Sequence, residues 1–303
     1  MRKIRVFEQK LQVLCTYYPN FDLSKLSTIK IGGKARYYAQ VHSTITLRKI
    51  IVLCNKFDID FAIVGNCSNI LFLDTGFNGV VIHLNDFDKI KVRGNVLHAQ
   101  AGASLASICR LALKNNLSGL EWTVGIPASV GGAIVMNAGA FNGDISSILK
   151  NVQVLDTHSL KLRNLGVLEY LGKSHENVFT NNKNYVILNV DLVLCPKPYD
   201  LILDRMRTIA KARAERQNVG LPSLGSIFRR GDSEFAPAYY IEQLGLKGTC
   251  IGDAQVSRVH SGYIVNLGDA CAKDVLTLVG VIQRKIFVQY GVRLKTEIII
   301  VGE

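Results

Sequence analysis

Short runs rich in Val, Ile, Phe and Tyr alternate with stretches whose apolar residues recur every three or four positions. Residues 35–42, 60–64, 69–74 and 79–84 have the first pattern and predict strands. Residues 44–57 have the second, so a helix links the first two strands in a βαβ-like unit. Within 87–101, IKVRGNVLHAQ predicts a hairpin turning at Gly94-Asn95. A helix near 103–116 follows, started by Ala103 or Ser104. Strands return at 150–156, 161–171 and 184–195. Pro196 and Pro198 break the pattern, and a charged amphipathic helix occupies 200–217. A domain boundary therefore falls near 197. Beyond it we expect helices near 235–244 and 270–289, short strands within 249–266 and a last strand at 293–301. No repeat or low-complexity tract is visible.

One stretch departs from this alternation. Residues 119–143 read GLEWTVGIPASVGGAIVMNAGAFNG and hold six glycines among apolar residues. A flexible linker would lack Trp122, Ile126, Val130, Ile134, Val135 and Met136. Two readings stay open. One is a Gly-rich turn feeding a short helix whose free N–H groups hold a pyrophosphate. The other is close packing of small residues in a core.

Composition narrows the class. With 303 residues, 48% hydrophobic and 20% charged, the chain is long enough for two or three globular domains. No apolar run is long enough to span a bilayer, and charges interrupt the N-terminal apolar residues, so no secretory signal is expected. A cytoplasmic home with no membrane partner follows as the expectation. The seven cysteines are scattered without a CxxC pair, and the six histidines lack an HExxH-like spacing. No metal site is expected. A net charge of +12 suits a basic proteome or a phosphate-bearing substrate. No nucleic-acid recognition motif accompanies it, so no nucleic-acid partner is expected.

Four groups of residues could carry chemistry. Gly65, Asn66, Cys67, Ser68 and Asn69 follow an apolar strand and form a small-residue turn suited to phosphate. Ser226, Arg229 and Arg230 sit in SLGSIFRR, where a solvated turn is the plainer reading. Lys247 lies between glycines in GLKG and can reach a phosphate as a point charge, with His260 further on as an ordinary structural histidine. Glu297 stands alone before Ile298, Ile299 and Ile300, either a strand-end surface group or a deliberately placed acid.

Together these segments resemble the UDP-N-acetylenolpyruvoylglucosamine reductase family over about Ser27 to Gly302. The motifs are STIKIGGKARYY, GNCSNILFLDTGFNGVVI, GLEWTVGIPASVGGAIVMNAGAFNGDI, LGSIFRR, GLKGTCIGDAQVSRVHSGYIVN and TEIIIVG. The shorter variant, without an inserted tyrosine loop, looks most similar. The resemblance implies an α+β fold: a two-part FAD-binding domain of the vanillyl-alcohol-oxidase type at 1–197 (parts about 1–84 and 85–197), and a smaller α/β substrate domain at 198–303. It implies FAD held by Gly65 to Asn69 and by Gly125, Ile126, Pro127, Ala128, Ser129, Gly132 and Asn137. It implies NADPH as reductant and UDP-N-acetylglucosamine enolpyruvate as substrate, in peptidoglycan precursor synthesis. Ser226 matches the proton donor, Glu297 the acid that stabilises the enol intermediate, and Lys247 a contact to the UDP phosphates.

Some positions depart from the family pattern. Cys67 and Ala128 stand where glycine is common. In EYLGKSH, Gly172 and Lys173 stand where a Tyr-Arg pair is common, making Lys173 the stand-in for a catalytic arginine. Arg229-Arg230-Gly231 replaces Lys-Asn-Pro, which puts Arg229 and Arg230 at the substrate. An FAD-binding homologue with reduced or lost reductase activity is the alternative that these departures motivate.

Overall fold

The computed structural model describes residues 2–84, 86–171, 177–181, 184–217, 220–229, 231 and 233–302. Lys173 and Arg230, with Gly172, lie outside the described residues. The chain divides into two compact units, each discontinuous in sequence. The first comprises 1–18, 38–66 and 81–213; the second comprises 19–37, 67–80 and 214–303. This division differs from a single boundary near 197. The strands Tyr17–Asp22, Lys34–Gln40 and Phe77–His83, and the helix Tyr199–Gln217, each begin in one unit and end in the other. A composition shift such as Pro196–Pro198 cannot report segments that return to a unit through long-range pairing.

The first unit is built on a five-stranded antiparallel sheet ordered Leu162–Gly166, Leu149–Asp156, Tyr185–Val193, Val96–Gln100, Ile90–Arg93. Its hairpin pairs Arg93 with Val96 and places Gly94 at φ 59°, as a two-residue turn requires. The helix Leu105–Lys114 buries Leu105, Ile108, Cys109, Ala112 and Leu113 on one face, and Ser104 caps it by accepting from the Ser107 N–H. The helix Thr44–Phe57 spans the expected 44–57, with Ser43 as its cap. Helix Arg2–Leu14 was not expected. It buries Phe7 and Leu11, one turn apart, and sets Phe7 edge-on to Phe57 at 5.7 Å.

Three expected strands are much shorter, the run 69–74 being strand only at Ile70–Phe72. The run 161–171 is a strand only to Gly166 and then becomes the helix Val167–Leu171. Glu169 accepts from the Gly166 N–H at this junction, and the turn drives Tyr170 fully into the core. The run 293–301 is strand only at Ile299–Val301, which pairs in parallel with Ile70–Phe72.

The second unit carries an antiparallel sheet ordered Ser223–Ser226, Tyr263–Asn266, Ala254–Val256, Cys250–Ile251, with the helices Pro237–Gln243 and Ala272–Tyr290. Its core gathers Leu71, Ile227, Ile241, Val256, Ile264, Leu278 and Ile282. Asp74 closes the start of the long helix, accepting from the Ala272 and Lys273 N–H groups at 2.7 and 3.0 Å. A carboxylate there satisfies orphan donors and meets the positive end of the helix dipole. Asp74→Ala is expected to cost about 1 kcal/mol, read as a lowered midpoint in chemical denaturation with an unchanged m-value.

Candidate functional site

In the first unit the two glycine-bearing loops meet. A Cβ added at Gly65 would overlap Ser129 Oγ, so no larger residue fits. Ser129 is buried and caps the helix Val130–Met136, accepting from the Gly132 N–H at 3.2 Å. The start of this helix is not the free anion site that the sequence suggests. The Val130 N–H donates to the Ala103 carbonyl, the Gly131 N–H to the Ala101 carbonyl, and the Gly132 N–H to Ser129 Oγ. Gly131 instead follows the packing reading, with a notional Cβ 3.0 Å from that of Ala101.

The loop ahead of the helix retains donors. Among the described residues, the N–H groups of Gly125, Ala128 and Ser129 make no backbone hydrogen bond. Gly125 has φ 81°, which a side chain would strain. Ile126 is tied back to the Thr123 carbonyl, and Pro127 has no N–H to offer. Asn137 ends the helix at φ 42° and accepts from the Ser146 N–H at 3.2 Å, so it shapes the loop. Tyr170 Oη and Asn177 Nδ2 donate to the Ile134 and Val135 carbonyls at 2.9 Å each, fixing the other end of the helix.

Arg213 was missed by the sequence reading. Its side chain rests against Gly125, its Nη2 donates to the Trp122 carbonyl at 3.4 Å, and its guanidinium lies 5.2 Å from the Phe141 ring centre. It sits among many charges in RMRTIAKARAERQ, and periodicity alone cannot single it out.

Cys67 takes φ 50°, in the left-handed region where glycine is at ease. That explains a preference for glycine at this position. Its thiol is buried, which pushes its pKa up to about 12 and leaves it inert. Ala128 is outside that region, so its methyl carries no such backbone cost.

In the second unit, Glu297 is held at both ends of its backbone. Its N–H donates to the Ile227 carbonyl at 2.8 Å, and its carbonyl accepts from Asn69 Nδ2 at 3.1 Å. The adjoining Arg229 N–H donates to the Lys295 carbonyl. These bonds set Ser226 and Glu297 on neighbouring segments. Ser226 is exposed at the end of its strand, opposite Tyr263. Burial pushes the Glu297 pKa up to about 7, with Arg229 opposing the shift. A carboxyl poised there is suited to acid–base work near neutrality. Lys247 forms a 2.7 Å ion pair with Glu242. Ser68 lies in a turn of the second unit. Among the described residues no cluster of His, Cys, Asp or Glu could hold a metal, and no helix is long and apolar enough to cross a membrane.

Residues 35–159 match the model of an FAD binding domain. Residues 217–301 match that of the UDP-N-acetylenolpyruvoylglucosamine reductase C-terminal domain. The UDP-N-acetylenolpyruvoylglucosamine reductase of Clostridium novyi is 39% identical, over 94% of this chain and 92% of that protein. That of Caldicellulosiruptor bescii is 40% identical, over 95% and 91%. The crystal structure of the reductase from Thermus caldophilus superposes with a TM-score of 0.79 at 30% identity, covering 95% of this chain and 99% of that one. A glucose dehydrogenase, Phl p 4.0202, shares the fold at 14% identity with a TM-score of 0.51, over 64% of this chain and 44% of its own. The fold is thus α+β, with an FAD-binding domain and a separate C-terminal domain.

The chain's own residues fit a flavin dinucleotide. Three loop donors near one another suit a dianionic pyrophosphate, and the glycine at 65 removes bulk beside them. Gly65→Ala is expected to force Ser129 off its cap and to weaken FAD binding about tenfold, the equivalent of one lost capping bond. Titration of the apoprotein by quenching of flavin fluorescence measures this.

Proposed function

The chain belongs to the UDP-N-acetylenolpyruvoylglucosamine reductase family, and on that premise we propose that it reduces UDP-N-acetylglucosamine enolpyruvate to UDP-N-acetylmuramate, with NADPH as electron source, for peptidoglycan precursor synthesis. It is an FAD-dependent oxidoreductase. The observation that carries the finer reading is the carboxyl of Glu297, poised near neutral pH on the segment beside Ser226.

FAD would be held by the loop of Gly65, Asn66, Cys67, Ser68 and Asn69 and by the loop Gly125 to Ser129, where the N–H groups of Gly125, Ala128 and Ser129 make no backbone hydrogen bond among the described residues. Gly132 and Asn137 keep the second loop in shape. The chemistry that the bound flavin supplies is hydride delivery to the vinyl CH₂ carbon, after its reduction by NADPH.

The chain's residues do the rest. As the hydride arrives, the neighbouring carbon gains carbanion character and its carboxylate gains enolate character. Protonated Glu297 donates a hydrogen bond to that developing charge, which burial makes more effective than in water. The Ser226 hydroxyl gives its proton to the carbon. A serine is a weak acid, so Arg229 is needed nearby to stabilise negative charge. Arg229 also offers a fork to the substrate carboxylate, and Lys247 exchanges Glu242 for a UDP phosphate. Lys173 and Arg230 complete the proposed substrate contacts.

The test is steady-state NADPH oxidation with the enolpyruvyl sugar nucleotide, coupled to mass spectrometry. A product two hydrogens heavier than the substrate supports the proposal. NADPH-reduced protein that leaves this substrate unchanged would overturn it and favour the homologue with lost activity.

A further inference from the structure

The GLKG turn of the second unit lies against a cation that the proposed chemistry does not use. The backbone of this turn is locked to the sheet. The Gly248 N–H donates to the Val256 carbonyl at 2.8 Å, and the Gly248 carbonyl accepts from Gln255 Nε2 at 3.4 Å. Gly248 takes φ 81°, where glycine is at ease. A second turn is locked as firmly. Ser257 is buried, and its N–H donates to the Tyr263 carbonyl at 2.9 Å. Its Oγ accepts from the Val259 and His260 N–H groups at 3.1 and 3.2 Å. Arg258 therefore extends from a fixed backbone.

The Arg258 guanidinium lies face-on to Gly248. A Cβ added at Gly248 would stand 3.2 Å from Arg258 Cζ, 3.4 Å from Nη2 and 3.5 Å from Nη1. The central carbon is the nearest of the three, so the face makes the contact and not the edge. All N–H bonds of a guanidinium lie in its plane, and this stacking leaves them open. Arg258 is exposed and, among the described residues, makes no hydrogen bond or ion pair. Lys247, by contrast, is paired with Glu242 at 2.7 Å, and that pair adds no net charge. The uncompensated positive charge beside the turn belongs to Arg258.

We infer that Arg258 is a substrate-binding residue: its guanidinium, held flat on Gly248, offers an N–H fork to the diphosphate of the sugar nucleotide. A planar fork matches two phosphate oxygens at once. It is preset by the stacking, whereas Lys247 must first give up Glu242. The segment that begins at Arg258 also leads to the proposed proton donor. Tyr263 lies opposite Ser226, and the His260 ring packs 4.4 Å from the Tyr263 ring. One short, hydrogen-bonded segment thus sets the phosphate anchor in register with Ser226. The inference rests on the reading of a UDP-linked substrate bound at the second unit.

Calorimetric titration of the full-length, FAD-loaded protein with UDP and with uridine tests it. Arg258→Met still covers Gly248 but has neither charge nor donors. It should bind UDP about tenfold more weakly, the scale of one hydrogen bond to a charged group. Arg258→Lys keeps the charge without the fork and should bind UDP about threefold more weakly. Uridine, which has no phosphate, should bind the wild type and Arg258→Met alike. A merely structural role for Arg258 would weaken both ligands equally, and that result would overturn the inference. So would equal UDP affinity in the wild type and Arg258→Met, an outcome that leaves the substrate reading standing. If Arg258→Met fails to fold, the lysine variant decides. Wild-type protein that binds neither UDP nor the enolpyruvyl sugar nucleotide would instead remove the substrate reading, and the inference with it.

Discussion

Ser226→Ala should lower kcat by about 10³-fold, within the range for loss of a general acid, while leaving the NADPH half-reaction and FAD affinity unchanged. The hydroxyl is exposed and outside the core, so the fold tolerates its removal. Separate stopped-flow runs for flavin reduction by NADPH and reoxidation by the enolpyruvyl sugar nucleotide would locate the defect. A slow second phase with a normal first phase is the expected outcome. Equal slowing of both phases would show a damaged cofactor site and remove Ser226 as the proton donor.

Glu297→Gln should act on two properties with opposite signs. The folded-state pKa is raised from 4.5 to about 7. Below 4.5 the carboxyl is protonated in both folded and unfolded chains and costs nothing. As pH rises from 4.5 to about 7, the unfolded chain ionises first and stability falls, and above 7 the loss is complete. At 1.36 kcal/mol per unit the penalty is on the order of 3 kcal/mol. The glutamine variant should therefore be more stable at pH 8 and lose that dependence. Its activity should drop by roughly 10²-fold, because an amide is a weaker donor to an enolate. In the wild type, kcat should fall as pH rises through about 7, because the protonated carboxyl is the form proposed to donate. A flat wild-type profile from pH 6 to 8 would contradict this role. Denaturation midpoints and pH–rate profiles of both proteins supply the comparison.

What was legible in the sequence was mainly local. The helix 44–57 and the Gly94-Asn95 hairpin were legible because cap, period and turn lie within a few residues. The resemblance pointed to Ser226 and Glu297, but the reason for their placing was out of reach. Asn69 clamps Glu297 across 228 positions, and Tyr38 meets His83 across 45. No periodicity spans such distances. The glycines at 125 and 131 look alike in the sequence, yet one bends a loop with free donors and the other packs against Ala101. Only the paths of neighbouring segments separate those roles. The helix at 167–171 replaced an expected strand because Tyr170 satisfies the core and the Ile134 carbonyl together.

In the proposed reductase cycle, one chain takes electrons from NADPH onto FAD and passes them to an enolpyruvyl sugar nucleotide. The most direct measurement is the visible spectrum of the purified protein under anaerobic conditions. The flavin band should bleach when NADPH is added and recover when UDP-N-acetylglucosamine enolpyruvate follows. Bleaching without recovery, in protein that retains its FAD, would contradict the proposed reductase cycle.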